Sequence, residues 1–125
     1  MIDEINVAII GLGRVGSTFT KKLYGFKEKG INITAVFERN INAPGLRYAK
    51  RLGVHICAHE DEITQMTESV DVIFNLTGDI NMETKMRAAQ TKLGNRHTVI
   101  VSTLMASFIW KMIAEEKLPE HSKSH

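Results

Sequence analysis

The chain has 125 residues, enough for one domain with a buried core and too few for a cofactor domain plus a full substrate domain. Its 43% hydrophobic and 24% charged residues are those of an ordinary globular protein, and a formal charge of +2 with scattered basic residues leaves no footprint for nucleic acid or a membrane surface. A single cysteine, Cys57, rules out an intrachain disulfide and fits a reducing, cytoplasmic compartment. No basic segment precedes an apolar stretch as in a signal peptide, and no apolar run approaches the ~18 residues of a membrane span.

The first segment, INVAII at 5–10, is apolar apart from Asn6 and rich in β-branched residues, as a strand covered on both faces would be. From 14 to about 29, Val15, Phe19, Leu23 and Phe26 recur at steps of four and three. That spacing predicts a helix with one buried stripe, ended by Gly30. A second apolar run at 31–37 stops at Glu38, and 40–44 reads as a loop. Leu46, Ala49 and Leu52 share a helical face over 45–52, closed by Gly53, before a short third strand at 54–58. The polar stretch HEDEITQMTES at 59–69 has only Ile63 and Met66 as anchors and predicts a short helix with a solvated face. A fourth strand covers 70–76. Met82, Met86, Ala89 and Leu93 make a helical stripe over 80–93, ended by Gly94, and a fifth strand covers 97–102. A last helix runs from about 104 to 117 with Pro119 just beyond, so that a domain of 1–118 precedes a tail at 119–125 with the composition of disorder.

Strands that alternate with helices form parallel sheets through right-handed crossovers. The expected fold is therefore α/β: a three-layer Rossmann fold, with a parallel sheet of about five strands in the order 3-2-1-4-5 and helices on both faces.

Residues 11–16, GLGRVG, are a G-x-G-x-x-G motif that directly follows the first strand and opens the first helix. Gly11 permits the sharp turn, Gly13 lacks a side chain where a pyrophosphate would sit, and Gly16 lets helix and strand approach. The amides of the first helical turn and the helix dipole favour phosphate there. The expected acidic partner, about 20 residues on, is Glu38, 22 residues after Gly16. Its carboxylate suits adenosine ribose hydroxyls and favours NAD, whereas the adjacent Arg39 could pair with the 2′-phosphate of NADP. The same residues also allow a plain strand-to-helix turn, or another adenine ligand such as S-adenosylmethionine.

Together, INVAIIGLGRVGS, ITAVFERN, APGLRYAKRLGV and VDVIFNLTG resemble the NAD(P)-binding domain of homoserine dehydrogenases and glucose-fructose-oxidoreductase-like proteins, over about residues 4–110. The resemblance implies that Leu76, Thr77 and Gly78 lie near the nicotinamide ribose and that Arg14 and Val15 lie near the pyrophosphate. Those dehydrogenases carry a catalytic lysine after the fifth strand, where this chain has Ser102 and Thr103, and they complete the active site with a second domain. GLGRVG and the stretch 77–101 also resemble the nucleotide-binding regulatory domains of potassium transport, which signal without chemistry. The expectation is a stand-alone NAD(P)(H)-binding or sensing module. The alternative is the cofactor domain of a homoserine dehydrogenase-like oxidoreductase that needs a second domain or subunit. No catalytic residue is assigned.

In HICAH, His55, Cys57 and His59 alternate, so on a strand they would share a face. All three can bind zinc, with Glu60 or Asp61 as a fourth ligand. A cysteine on an inner strand more commonly fills core, and no metal site is assigned. In the last helix, Leu104, Met105, Phe108, Ile109, Met112 and Ile113 form a wide apolar stripe, expected to be buried. Trp110 points away from that stripe and is expected to be partly exposed, marking a homodimer or partner-protein contact or the seat of a second domain, or else folding against its own helix end or the tail.

Overall fold

The computed structural model describes residues 2–114. Five strands, β1 (Ile5–Ile10), β2 (Ile31–Phe37), β3 (His55–Ile56), β4 (Val72–Asn75) and β5 (Val99–Val101), form one sheet in the order β3-β2-β1-β4-β5. Every pairing is parallel. Five helices connect and flank the strands: α1 (Arg14–Tyr24), α2 (Pro44–Leu52), α3 (Glu60–Thr64), α4 (Ile80–Lys92) and α5 (Thr103–Ile113). This is the expected three-layer Rossmann arrangement.

Two cores follow from the two-residue period of a strand. Val7 and Ile9 of β1 face a cluster with Phe19 and Leu23 of α1, Ala49 of α2, Phe74 of β4 and Trp110 of α5. Their neighbours Ala8 and Ile10 face a second cluster with Cys57, Ile63 of α3, and Met82 and Met86 of α4. The unbroken apolar run of β1 is thus explained by a central strand with helices on both sides.

Several boundaries differ from the sequence expectation. The first helix stops at Tyr24, where Gly25 ends it, and a separate 3-10 turn at Lys27–Lys29 leads to Gly30 in the left-handed region. The third strand keeps only two residues in the ladder, although the Cys57 amide still donates to the Val36 carbonyl. The polar stretch forms the five-residue α3 and a 3-10 turn at Thr67–Ser69. In α4 only Met82 and Met86 are buried, while Leu93 is exposed. The end of the expected last helix at 114–117 and the tail at 119–125 fall wholly or mostly outside the described residues.

The largest correction concerns α5. Trp110 is 3% exposed and packs on Phe19, with ring centroids 5.5 Å apart, whereas Leu104, Met105, Phe108 and Met112 are exposed. Bulk decides the orientation. The indole fills the space between α1 and the sheet, Ala106 lies on the same buried face with Ile109 and Ile113 partly buried beside it, and Leu104, Met105, Phe108 and Met112 turn outward.

Candidate functional site

The C-terminal ends of β1, β2 and β4 open onto a cleft of about 1300 Å³. Ligands of open α/β sheets bind at this edge, where the strand order reverses. Gly11, Gly13, Arg14, Val15, Glu38, Arg39, Leu76, Thr77 and Gly78 all line the cleft, so the structure brings together every expected contact residue except Gly16.

The three glycines of the turn have separate roles. Gly11 has a φ of +99°, a conformation that L side chains rarely adopt, and a Cβ there would lie 2.9 Å from the Leu76 carbonyl carbon. A Cβ on Gly16 would lie 1.8 Å from the Gly11 carbonyl oxygen, so this glycine serves the packing of α1 on the turn and does not face the cleft. A Cβ on Gly13 would meet nothing within 4 Å, leaving room for a ligand. Gly13 is also the N-cap of α1, with no side-chain cap and no acidic residue in the first turn. No acidic side chain of α1's own first turn therefore opposes the positive end of the helix dipole, which faces the cleft.

Leu12 anchors the turn. Its side chain is fully buried, its amide donates to Glu38 Oε1 at 2.6 Å, and its carbonyl accepts from the Gly45 amide at 3.0 Å. Glu38 Oε2 accepts from the Asn40 amide at 2.8 Å, so one carboxylate ties the glycine turn to the loop after β2. Two ionised oxygens offer about four acceptor positions, so two remain for ligand hydroxyls. In the sequence pattern Gly45 only starts a helix. Its close approach to Leu12, where a Cβ would lie 2.7 Å from the Leu12 Cβ, was not visible in the one-dimensional pattern.

The loop after β4 is held by side chains that sequence reasoning missed. Asn75 is 2% exposed; its Oδ1 accepts from the Thr77 hydroxyl at 2.7 Å, and its Nδ2 donates to the Asp79 carbonyl. The Asp79 amide donates to Thr77 Oγ1, and its carboxylate caps α4 by accepting from the Asn81 amide. The signal was available in NLTGD, whose Asn, Thr and Asp are turn and cap formers. Ser102 is also accounted for, since its hydroxyl caps α5 by accepting from the Met105 amide at 3.3 Å.

Beyond Glu38 and Arg39 lies a second cleft of about 710 Å³ between α2, α3 and α4. Glu60 binds Lys85 across it at 2.6 Å, which lowers the glutamate pKa and raises that of the lysine. His55, Cys57 and His59 do not converge as their alternation suggested. Instead His59 Nδ1 accepts from the Asp61 amide at the start of α3, and Glu62 comes to His55 and Cys57. Burial, with the Glu62 carboxylate beside it, pushes the Cys57 thiol up to about 11, so it is a protonated thiol at neutral pH. The His55 hydrogen bond holds the Glu62 carboxyl below its usual range. Among the described residues, no helix is long and apolar enough to cross a membrane.

A parallel sheet of this order, a glycine turn opening α1 and an acid closing β2 define a Rossmann domain of the NAD(P)-binding class. The chain belongs to the ketopantoate reductase family, PanE/ApbA, whose model matches residues 7–104. A search of curated proteins gives no significant match. Similar solved structures include GenD2 from gentamicin A biosynthesis in complex with NAD, with a TM-score of 0.61 and 20% identity over 91% of this chain and 31% of that one. Homoserine dehydrogenase of S. aureus has a TM-score of 0.61 and 21% identity over 90% of this chain and 30% of its own. RSP in complex with beta-NADH has a TM-score of 0.56 and 16% identity over 87% and 58%. At these identities the likeness establishes the fold. The chain spans about a third of the length of GenD2 and of the dehydrogenase.

Proposed function

We propose that the chain binds NAD(P)(H) in the cleft at the C-terminal ends of β1, β2 and β4, and acts as a binding or sensing module. The observation that carries this is the convergence of Gly13, the uncapped start of α1 and Glu38 on one cleft. The pyrophosphate sits over Gly13 and the first turn of α1, with Arg14 and Val15 beside it. Glu38 accepts hydrogen bonds from the adenosine ribose hydroxyls, which favours NAD, while Arg39 stands where a 2′-phosphate would lie. Leu76, Thr77 and Gly78 flank the nicotinamide ribose. Hydride transfer needs a proton-transfer group beside the nicotinamide, and no described residue of the cleft is matched to that task.

Family membership favours a second role, as the cofactor domain of a reductase acting on a 2-oxo acid such as ketopantoate, completed by a second domain or subunit. A cytoplasmic location rests on the single, unpaired Cys57. A homodimer or partner contact through the last helix would use Leu104, Phe108 and Met112 in place of the buried Trp110.

Titration with NADH and NADPH, followed by nicotinamide fluorescence, tests the proposal. Saturable binding that Glu38→Ala weakens by about thirtyfold is expected, since a hydrogen bond to a charged group is worth about 2 kcal/mol. Absence of binding by either cofactor at millimolar levels would overturn it. Steady cofactor oxidation by the chain alone with ketopantoate would replace the sensing role with the enzymatic one.

A further inference from the structure

We propose that His55, Cys57 and Glu62 form a binding site for a divalent cation of the zinc class. The site is separate from the glycine turn and independent of the nucleotide proposal. His55 lies on β3, and Cys57 follows two residues later, where alternation returns the side chain to the same side. The Cys57 amide stays in the ladder through the Val36 carbonyl at 2.8 Å, which fixes the thiol at the sheet edge. The chain then turns at His59, and α3 brings Glu62 back over the strand. The imidazole nitrogen, the thiol sulfur and a carboxylate oxygen all lie within 4.8 Å of one another.

Tetrahedral zinc, with bonds of about 2.0–2.3 Å, sets its ligand atoms about 3.5 Å apart, so the three donors need only small side-chain rotations to reach that spacing. Sulfur, imidazole and carboxylate together suit zinc rather than magnesium or calcium. Glu62 already has the outer support that positions a ligand, because its Oε1 accepts from the Ala58 amide at 3.2 Å. Cys57 is buried against the second core and His55 is exposed, so the site is closed on one side and open on the other for water as a fourth ligand. Binding releases the thiol proton to solvent and joins β3, the two-residue edge strand, to α3.

The neighbouring trio His59, Glu60 and Asp61 is a poorer donor set. Glu60 is engaged by Lys85, and His59 caps the five-residue α3.

The test is titration of the chelator-treated full chain with Co(II). One equivalent is expected to give a thiolate-to-cobalt charge-transfer absorption with the strong visible bands of a tetrahedral site, and Zn(II) should displace it. Cys57→Ser should remove the charge-transfer band. His55→Ala and Glu62→Gln should each weaken binding at least about tenfold. Circular dichroism checks that each variant is folded, and His55 is exposed enough for its loss to be tolerated. Absence of the thiolate band at saturating Co(II), or an affinity that His55→Ala does not move, would overturn the proposal.

Discussion

At the scale of single residues, the glycine turn divides into positions that serve the fold and one, Gly13, that is open toward the cleft. A methyl group on Gly16 would overlap the Gly11 carbonyl oxygen, a backbone atom that cannot swing aside. Gly16→Ala gains about 1 kcal/mol of helix propensity, but the clash with fixed backbone is the larger effect. We expect a net loss of at least about 2 kcal/mol in urea denaturation. Gly13→Ala should change stability by less than about 0.5 kcal/mol, because its Cβ projects into open space. It should nevertheless lower NADH affinity by at least about tenfold, since the methyl group would stand where the pyrophosphate approaches. If Gly13→Ala binds NADH as tightly as the parent chain, the phosphates lie elsewhere. Glu38 has a structural role beside the one proposed for it, since its carboxylate holds the amides of Leu12 and Asn40. Removing the whole side chain leaves the buried Leu12 amide without its acceptor, whereas Glu38→Gln keeps one oxygen for it. The glutamine variant should therefore retain most of the stability that alanine loses, and denaturation of the pair separates structural loss from lost ribose contacts.

At the scale of elements, α5 shows what periodicity can and cannot decide. Its apolar residues cover most of its circumference, so more than one face could be buried by pattern alone. The deciding fact is the indole-sized space above Phe19, a property of α1 and the sheet rather than of α5. Trp110→Ala should cost about 3–5 kcal/mol, a large part of the roughly 5–15 kcal/mol total for a domain. Phe108→Ser, on the exposed face, should shift the denaturation midpoint little. Equal losses in the two variants would show that the helix is turned the other way. The order of elements and the strand order were legible because β-branched runs, helical stripes and terminal glycines each recur in register with the fold. Element ends were less legible, as Gly25 shows: it ends α1 within an apolar pattern that continues to Phe26. The cleft was legible in Gly11, Gly13, Glu38 and the NLTG loop, all of which carry local backbone signals. The support from Gly45 and Asn75, and the meeting of Glu62 with Cys57, depend on tertiary approach and leave no periodic trace.

At the scale of the whole molecule, the two ends of the sheet have different tasks. The C-terminal ends spread apart to form the cleft, while the N-terminal ends are fastened together, with Asp71 at the centre of the fastening. The Asp71 backbone bridges Asn6 and Val99, and its carboxylate accepts from the Asn6 amide at 2.7 Å and meets His97 Nε2 at 2.5 Å. The Asn6 amide, followed by His97, holds the Asp71 pKa below its ordinary value. A carboxylate with a depressed folded-state pKa adds stability above its unfolded pKa of about 3.9 and loses that contribution as pH falls through the folded value. Glu60 and Glu62 are lowered in the same direction, so the protein should lose stability as pH falls below about 4. Asp71→Asn keeps an oxygen for the Asn6 amide but loses the charge. It should lower stability at pH 7 by about 1 kcal/mol, the scale of a partly exposed pair, and flatten the acid limb of the stability profile. Because Asp71 lies at the end of the sheet away from the cleft, NADH affinity at pH 7 should not change. Urea denaturation from pH 3 to 7 measures the first effect and fluorescence titration the second. Parallel pH profiles for parent and variant would show that the Asp71 carboxylate does not carry the acid dependence, and a loss of NADH affinity would show that the two ends of the sheet are coupled.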